Sequence, residues 1–486
     1  MKKIITLIIV CISFGVKAQV TEFEKYMQQS QKEYTNYKKK EKKDFEKYRA
    51  KMNAEFASYL KKTWERFSSK KEKKNFTKPK PQNPIFKKNK ITRDIPRELQ
   101  TIPNVIKNKT STKPIAIRDL KPIEIKDYSR IKKFKINFYG TPIKVKIANN
   151  YRVKFFGTSE KEISRTWKKI TNKETDILVS SCMEIRKELS LCDWAYVELC
   201  GKIARILSNN NKNKEVFIQA YLLTQSSFDM RLAKTRDNKL CLLLPSNNKI
   251  YNYTYINLDN RRYYMINGKS SSNGYYTYKK GMAYGKHLCD MSIEKPMLLK
   301  GEKLPTKDII SDKNIEIKIN SNSSLINFYK NYPTCHWEVY RHSKVTKDIS
   351  KALDKYIKPK LESLSNEEKL STLLKFIQKG FKYKTDGEQF GREKPFFVEE
   401  TFFYPYCDCE DRAILFAHLV EKYCNLEVLL VHYPGHLCTA VKIDNISGDY
   451  LVYNNDKYLI CDPTYLGAPI GKCMPNYVNS KARISK

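Results

Sequence analysis

The apolar positions between residues 22 and 67 recur with a period of eleven: Glu22-Phe23-x-x-Tyr26, Glu33-Tyr34-x-x-Tyr37, Asp44-Phe45-x-x-Tyr48 and Glu55-Phe56-x-x-Tyr59, with Phe67 in phase. Eleven residues make three turns at 3.67 per turn, close to the α-helical 3.6, so the aromatics stay on one face with little supercoil. Glycine and proline are absent from Gln19 to Thr77. The pattern predicts one long helix over 19–75, about 65–70 Å across the repeat at ~1.5 Å per residue. Its narrow aromatic stripe requires a cover. The chain itself, a homo-oligomer through this helix, a membrane surface or a docked partner would each serve.

Beyond the repeat the pattern breaks. Residues 76–133 carry Lys78-Pro-Lys-Pro-Gln-Asn-Pro84 and then Pro96, Pro103, Pro114 and Pro122, which reads as an extended linker. Alternating positions at Phe134–Tyr139 and Ile143–Ile147 predict strands and open a middle unit, 134–345. Helical spacing follows at Glu160–Lys169, Ile177–Leu189, Trp194–Leu207 and Glu215–Thr224, then tyrosine-rich strands around 240–244, 251–256, 263–266 and 275–278. A last unit, 346–486, repeats the order: helices at Ser350–Ile357, Glu367–Phe381 and from Asp408 or Cys409 to Tyr423, then strands at 428–431, 436–443, 450–453 and 458–461. Helices followed by a meander of short strands define an α+β class with antiparallel sheets. A gapless shift of 197 residues lays the first unit on the second, placing Lys212, Lys239 and Met265 on Cys409, His436 and Asp462. The match reads either as a degenerate duplicate or as chance likeness of two α+β patterns.

Composition changes this picture in three respects. Lys2 and Lys3, the apolar run Ile4–Val16 and Val16-Lys-Ala18 form a signal peptide over 1–18, so the chain is expected to be exported to the periplasm or cell exterior. No later stretch reaches the roughly 18–20 apolar residues of a transmembrane span. The formal charge of +40 is mostly lysine; it suits an anionic envelope polymer or a solvated basic surface, and no nucleic-acid motif accompanies it. Twelve cysteines follow the signal, and export permits disulfides whose pairing the sequence leaves open.

The chemistry concentrates in Tyr404-Pro-Tyr-Cys-Asp-Cys-Glu-Asp-Arg-Ala-Ile-Leu-Phe416, which puts Cys409 at the start of an apolar helix. Gly435-His436 then opens a strand, and Asp462-Pro-Thr464 ends a later one. A helix N-terminus favours a thiolate, a histidine takes the thiol proton, and an aspartate fixes the imidazole tautomer. Cys409 directly precedes the helix, which separates it from Cys407 two residues earlier. His432 lies near the same edge and is a weaker base candidate. A zinc site drawn from Cys407, Cys409, His436, Cys438 and Cys461 is the competing chemistry; its Cys-x-Cys spacing is tight for structural zinc.

These residues, with Phe381-Lys-Tyr383 and Asp386-x-Glu-Gln-Phe-Gly391, resemble the transglutaminase-like superfamily of papain-type cysteine enzymes, nearest its bacterial cysteine proteinases, over about a quarter of the chain. The resemblance implies a helix-plus-antiparallel-sheet domain over 346–486 with Cys409 as nucleophile, His436 as base and Asp462 as orienting acid. Gln389 is the candidate second oxyanion donor. No cofactor is required, although calcium-dependent members imply a Ca²⁺ site at Asp408, Glu410 and Asp411. The expected activity is acyl transfer on peptide or glutamine amides of a protein substrate, with hydrolysis preferred over cross-linking. The alternative is a non-catalytic envelope scaffold on the same fold.

Overall fold

The computed structural model describes residues 2–72, 80–81, 96–102, 130–267, 274–281, 287–311, 315–445 and 447–485, with the side chains of 2–24, 38 and 42 excepted. It is an α+β architecture, and among these residues no helix is long and apolar enough to cross a membrane. Most of the stretch expected as linker lies outside the described residues, as does the side-chain pattern of the expected signal peptide.

The N-terminal helix spans Lys2–Tyr59 and stops well short of residue 75. Nothing in its local sequence ends it; a tertiary contact does. Trp64 is buried, its N–H donates to Glu160 Oε1 at 3.3 Å, and its ring meets Tyr278 at 5.1 Å. Phe67, expected in the helical phase, therefore lies in the short strand Glu65–Phe67. Among the described side chains of the repeat, those of the last copy are covered. Phe56 packs on Trp167 with ring centroids 4.5 Å apart, Tyr59 packs on Tyr278 at 4.5 Å, and Asn53 Oδ1 accepts from Trp167 Nε1 and Gln225 Nε2. Tyr26, Tyr34, Tyr37, Phe45 and Tyr48 remain exposed along the free part of the helix.

Two sheets follow, and they share a topology. In the middle unit the successive strands Arg231–Lys234, Leu240–Pro245, Thr254–Leu258, Arg261–Met265 and Tyr275–Thr277 lie in the order fifth, first, second, fourth, third. In the last unit Val428–Tyr433, His436–Lys442, Asp449–Tyr453, Asp456–Cys461 and Arg483–Ser485 lie in that same order, and every pairing is antiparallel in both. Each sheet is preceded by one buried helix, Lys212–Gln225 in the middle unit and Cys409–Cys424 in the last.

Each sheet is also closed by a strap from the N-terminal third of the chain. Glu65–Phe67 pairs outside Tyr275–Thr277, whereas Lys70–Lys71 pairs outside Thr254–Leu258 at the opposite edge. Residues 67 and 70 span at most about 11 Å, so the two edges must curl towards each other. The last unit repeats the device. Arg97–Glu98 runs parallel to Asp449–Tyr450 at one edge, and Thr101 bridges Ala482 beside the other. Residues 96–102, inside the proline-rich stretch, thus complete a folded sheet and contribute the buried Leu99 to its interior. Closing the edges removes unpaired strand edges that would otherwise template aggregation.

Side chains of the last sheet divide by the period of two that strands impose. Val428, Leu430, Leu437 and Val441 join the core beneath the helix Cys409–Cys424, while Leu429, Val431, Tyr433, Cys438 and Ala440 line the inner face with Leu99 and Ile484. Both faces are buried, which explains the unbroken apolar run at 428–431.

Burial also leaves a pH signature. Glu399 is held beside the Thr346 N–H at 2.8 Å, and desolvation raises its carboxyl to about 7. A carboxyl raised in the folded state contributes its stability below its ordinary pKa, about 4.5, and loses it as pH climbs through about 7. We therefore expect Glu399→Gln to gain thermal stability over the parent at pH ~8, by on the order of 2–3 kcal/mol, with no gain at pH ~4.5. Melting curves at the two pH values check this; a variant less stable than the parent at pH ~8 contradicts it.

Candidate functional site

The helix Cys409–Cys424 starts where an acidic turn can cap it. Asp408 occupies the N-cap with extended dihedrals, and its N–H donates to Asp411 Oδ2 at 3.1 Å. Ile414, Leu415, Leu419 and Val420 then anchor the helix in the core, and Asn425 ends it in the left-handed region. Cys409 is the first helical residue, 1 % exposed, with its S–H directed to Glu410 Oε2 at 3.4 Å. Cys407 lies on the short strand Tyr406–Cys407 parallel to Lys382–Tyr383, and burial raises its thiol pKa.

His436 and Asp462 come together across adjacent strands. His436 opens its strand opposite Tyr433, and Asp462 follows the strand ending at Cys461. Nε2 of His436 meets Asp462 Oδ2 at 2.8 Å, and both side chains are buried. The other Asp462 oxygen, Oδ1, accepts from the backbone N–H of Thr464 and Tyr465, so the carboxylate is fully engaged and stays an acceptor. Nε2 therefore carries the proton, which leaves Nδ1 as the bare acceptor. That Nδ1 is buried and has no hydrogen-bond partner. An orphaned buried nitrogen is costly in a core histidine and is what a base ready to accept a proton presents.

Electrostatics tie Cys409 to this pair. The Tyr477 phenol is pushed up to about 12, first by burial and then by the nearby acidic groups Cys409 and Asp462. The Cys438 thiol, two residues along from His436, is raised by burial and again by Asp462 and Cys409. Thiol, imidazole and carboxylate share these two neighbours, at the N-terminus of the helix and the start of the strand packed on it. The middle unit shows the same approach in inert form. There Asn213, second residue of the helix Lys212–Gln225, accepts from the Leu240 N–H that opens the equivalent strand, at 2.9 Å.

Around the candidate triad the structure adds groups that sequence reading passed over. Gln378, buried on the helix Asn366–Gly380, donates Nε2 to the carbonyls of Asp462, Tyr465 and Ala468 and accepts from the Gly467 N–H. It fixes the turn that carries Asp462. Tyr477 lies over His436, ring centroids 5.0 Å apart and planes 17° apart, and also stacks on Tyr433. Neither residue stands in a motif; only their distant packing reveals them.

The remaining candidates fall differently. His432 packs its ring on Trp337 at 4.8 Å and takes no part in the Asp462 pair. Cys407 and Cys461 join none of the clustered ligand groups found among the described residues, so the zinc set drawn from five residues is not assembled. Gln389 sits on the short helix Asp386–Phe390, with its Oε1 buried and unbonded. The twelve cysteines from Cys182 to Cys473 are all free thiols.

The acidic cluster differs from its expected membership. Asp408 and Asp411 gather with Asp386, one oxygen of each within 4.8 Å of the others, while Glu410 groups with Cys409 and Asp408 or with Asp386 and Glu393. Three buried oxygen donors suit a hard cation such as calcium. Backbone groups also serve them: Lys394 N–H donates to Asp386, Phe396 N–H to Asp411, and Asp386 N–H to Asp408. Burial and its three acidic neighbours raise the Asp411 carboxyl well above its usual range.

Comparisons with family models, curated proteins and solved structures return no match for this chain.

Proposed function

We propose that the last unit is a transglutaminase-like cysteine acyl transferase that cleaves peptide or glutamine amide bonds. The observation that carries this reading is the buried His436–Asp462 pair, whose imidazole Nδ1 has no hydrogen-bond partner. In this mechanism Nδ1 takes the Cys409 proton and the thiolate attacks the amide carbonyl. The helix dipole and the Cys409 N–H favour the negative charge that develops. His436 returns the proton to the leaving amine, which gives a thioester, and water then attacks with His436 again as base. An amine in place of water would give cross-linking. Asp462 holds the tautomer throughout.

Calcium would be held by Asp386, Asp408 and Asp411, where it would neutralise the acidic turn without entering the reaction. A rise in melting temperature when calcium is added to chelator-treated protein checks it, and an unchanged melt removes it.

The direct test of the reaction is to trap the thioester. The full chain is mixed with peptide and glutamine-amide substrates and quenched in acid, and its peptides are weighed. An acyl adduct on the Cys409 peptide is expected; turnover without such an adduct overturns the mechanism. One observation favours the scaffold reading, namely that Cys409, His436 and Asp462 are each at most 2 % exposed. A protein that neither turns over substrate nor acquires the adduct would be that scaffold.

A further inference from the structure

We propose that Tyr477 is the gate of this site: its ring seals His436 in the resting protein and must swing outward before an acyl donor reaches Cys409. The inference rests on the cysteine-enzyme reading above and adds the residue that controls access. A thiol 1 % exposed cannot attack a peptide carbonyl, so some covering group has to move.

One face of His436 is covered by an aromatic ring. The imidazole is fully buried, and Tyr477 lies nearly parallel to it. The backbone on either side of that ring is at the surface: Pro475, Asn476, Asn479 and Lys481 are exposed, and Tyr477 itself is only part-buried. Tyr477 thus covers one face of the imidazole from a turn that is largely exposed.

The attachment of that turn is what a gate requires. Its upstream end is fixed, because Cys473 N–H donates to Asp449 Oδ2 and the next residue, Met474, is fully buried. Its downstream end is fixed where Ala482 N–H donates to the Gln100 carbonyl and Ile102 N–H donates to the Ala482 carbonyl. Between these anchors, the tight-turn bonds from Tyr477 N–H to the Met474 carbonyl and from Ser480 N–H to the Tyr477 carbonyl are local to the turn, so they can travel with it. Tyr477 is tied to the body of the protein by stacking on His436 and Tyr433 and by packing against the Tyr465, Ala468 and Met474 cluster. Aromatic pairs contribute about 0.5–1.5 kcal/mol each beyond burial, a hold that substrate binding can exceed. Both anchors involve the strap: Arg97 pairs with Asp449, and Gln100 and Ile102 bond Ala482. The strap therefore sets the two ends between which the gate moves.

The resting thiol agrees with a closed gate. Its proton is directed to Glu410 while His436 Nδ1 stays unbonded, so the reacting pair is not yet engaged.

The test reads accessibility separately from catalysis. Iodoacetamide alkylation of Cys409 in the full chain is followed by peptide mass at pH ~8, for the parent, Tyr477→Ala and Tyr477→Phe. Tyr477→Ala is expected to label Cys409 at least tenfold faster, and Tyr477→Phe, which keeps the stacked ring, within about twofold of the parent. Cys182 and Cys200, buried on helices of the middle unit, report on folding and should keep their parent rates. Equal Cys409 rates in Tyr477→Ala and the parent overturn the gate, and so does acceleration of all three thiols together. Because alkylation needs no turnover, the gate can fail while thioester trapping succeeds, or the reverse.

Discussion

Cys409→Ala is expected to lower hydrolysis of peptide and glutamine-amide substrates by at least about 10⁴-fold, while Cys407→Ala stays within a few-fold of the parent. The two thiols are neighbours in sequence with opposite surroundings. Cys409 heads a sixteen-residue helix, so its sulfur meets the positive end of the dipole, and its charge is felt at Tyr477 and Cys438 beside His436. Cys407 faces away, its sulfur directed to the Lys382 carbonyl, and Arg412 only partly offsets the effect of its burial. Removing a nucleophile deletes the covalent route altogether, whereas removing a spectator leaves a small cavity. Asp462→Asn should fall between them, since an amide offers an N–H to Nε2 and favours the tautomer that protonates Nδ1. Initial rates for the three variants, with circular dichroism to confirm folding, decide the matter. Equal losses in Cys409→Ala and Cys407→Ala, or none in either, would sink the assignment.

How much of this was legible in the sequence depends on the range of each interaction. The helix over Cys409–Cys424 and the strands at 428–433, 436–442 and 456–461 follow from local period, because apolar side chains on one face must share a core. The His436–Asp462 contact was legible as well, since a strand start and a strand end on neighbouring strands meet once the meander forms. Interactions closed over long sequence distance were not. The N-terminal helix ends at Tyr59 because Trp64 finds Glu160 and Tyr278, and no residue between 60 and 75 announces that. Leu99 sits in a proline-rich stretch and reads as linker, yet it fills the inner face of a sheet formed more than 300 residues later. Gln378 and Tyr477 belong to the same category.

The shared strand order of the two sheets bears on the resemblance between the units. A gapless shift of 197 residues maps Lys212 onto Cys409, and the helices Lys212–Gln225 and Cys409–Cys424 begin at those positions. Topology, shift and strap coincide, as common descent of the two units would require. Lys239 and Met265 stand at the shifted positions of His436 and Asp462, and Asn213 ties helix to strand by hydrogen bond. Homologues whose middle units carry a Cys-His-Asp set at these positions are the expected intermediates; homologous chains with unrelated strand orders in that region would contradict common descent.

Arg412→Met should destabilise the last unit by about 3–5 kcal/mol and should lower turnover in whatever protein remains folded. Arg412 is among the largest fully buried side chains. Its guanidinium donates to the carbonyl of Phe381 at 2.7 Å and of Pro463 at 3.4 Å, joining the end of one helix to the residue after Asp462. It also supplies positive charge beside a turn carrying Asp386, Asp408, Glu410 and Asp411. Methionine fills most of the volume, so the loss isolates charge and hydrogen bonding from packing. Two carbonyls would lose their donor in the interior, and the carboxylates would lose a compensating cation. Acid should then partly rescue the variant, because protonating Asp411, already raised by burial and then by its acidic neighbours, relieves repulsion within the acidic turn. The stability gap between variant and parent is therefore expected to narrow as pH falls from ~8 to ~5. Urea melts across that range measure it, and a gap that does not narrow towards acid would show that Arg412 does not act by balancing the acidic turn.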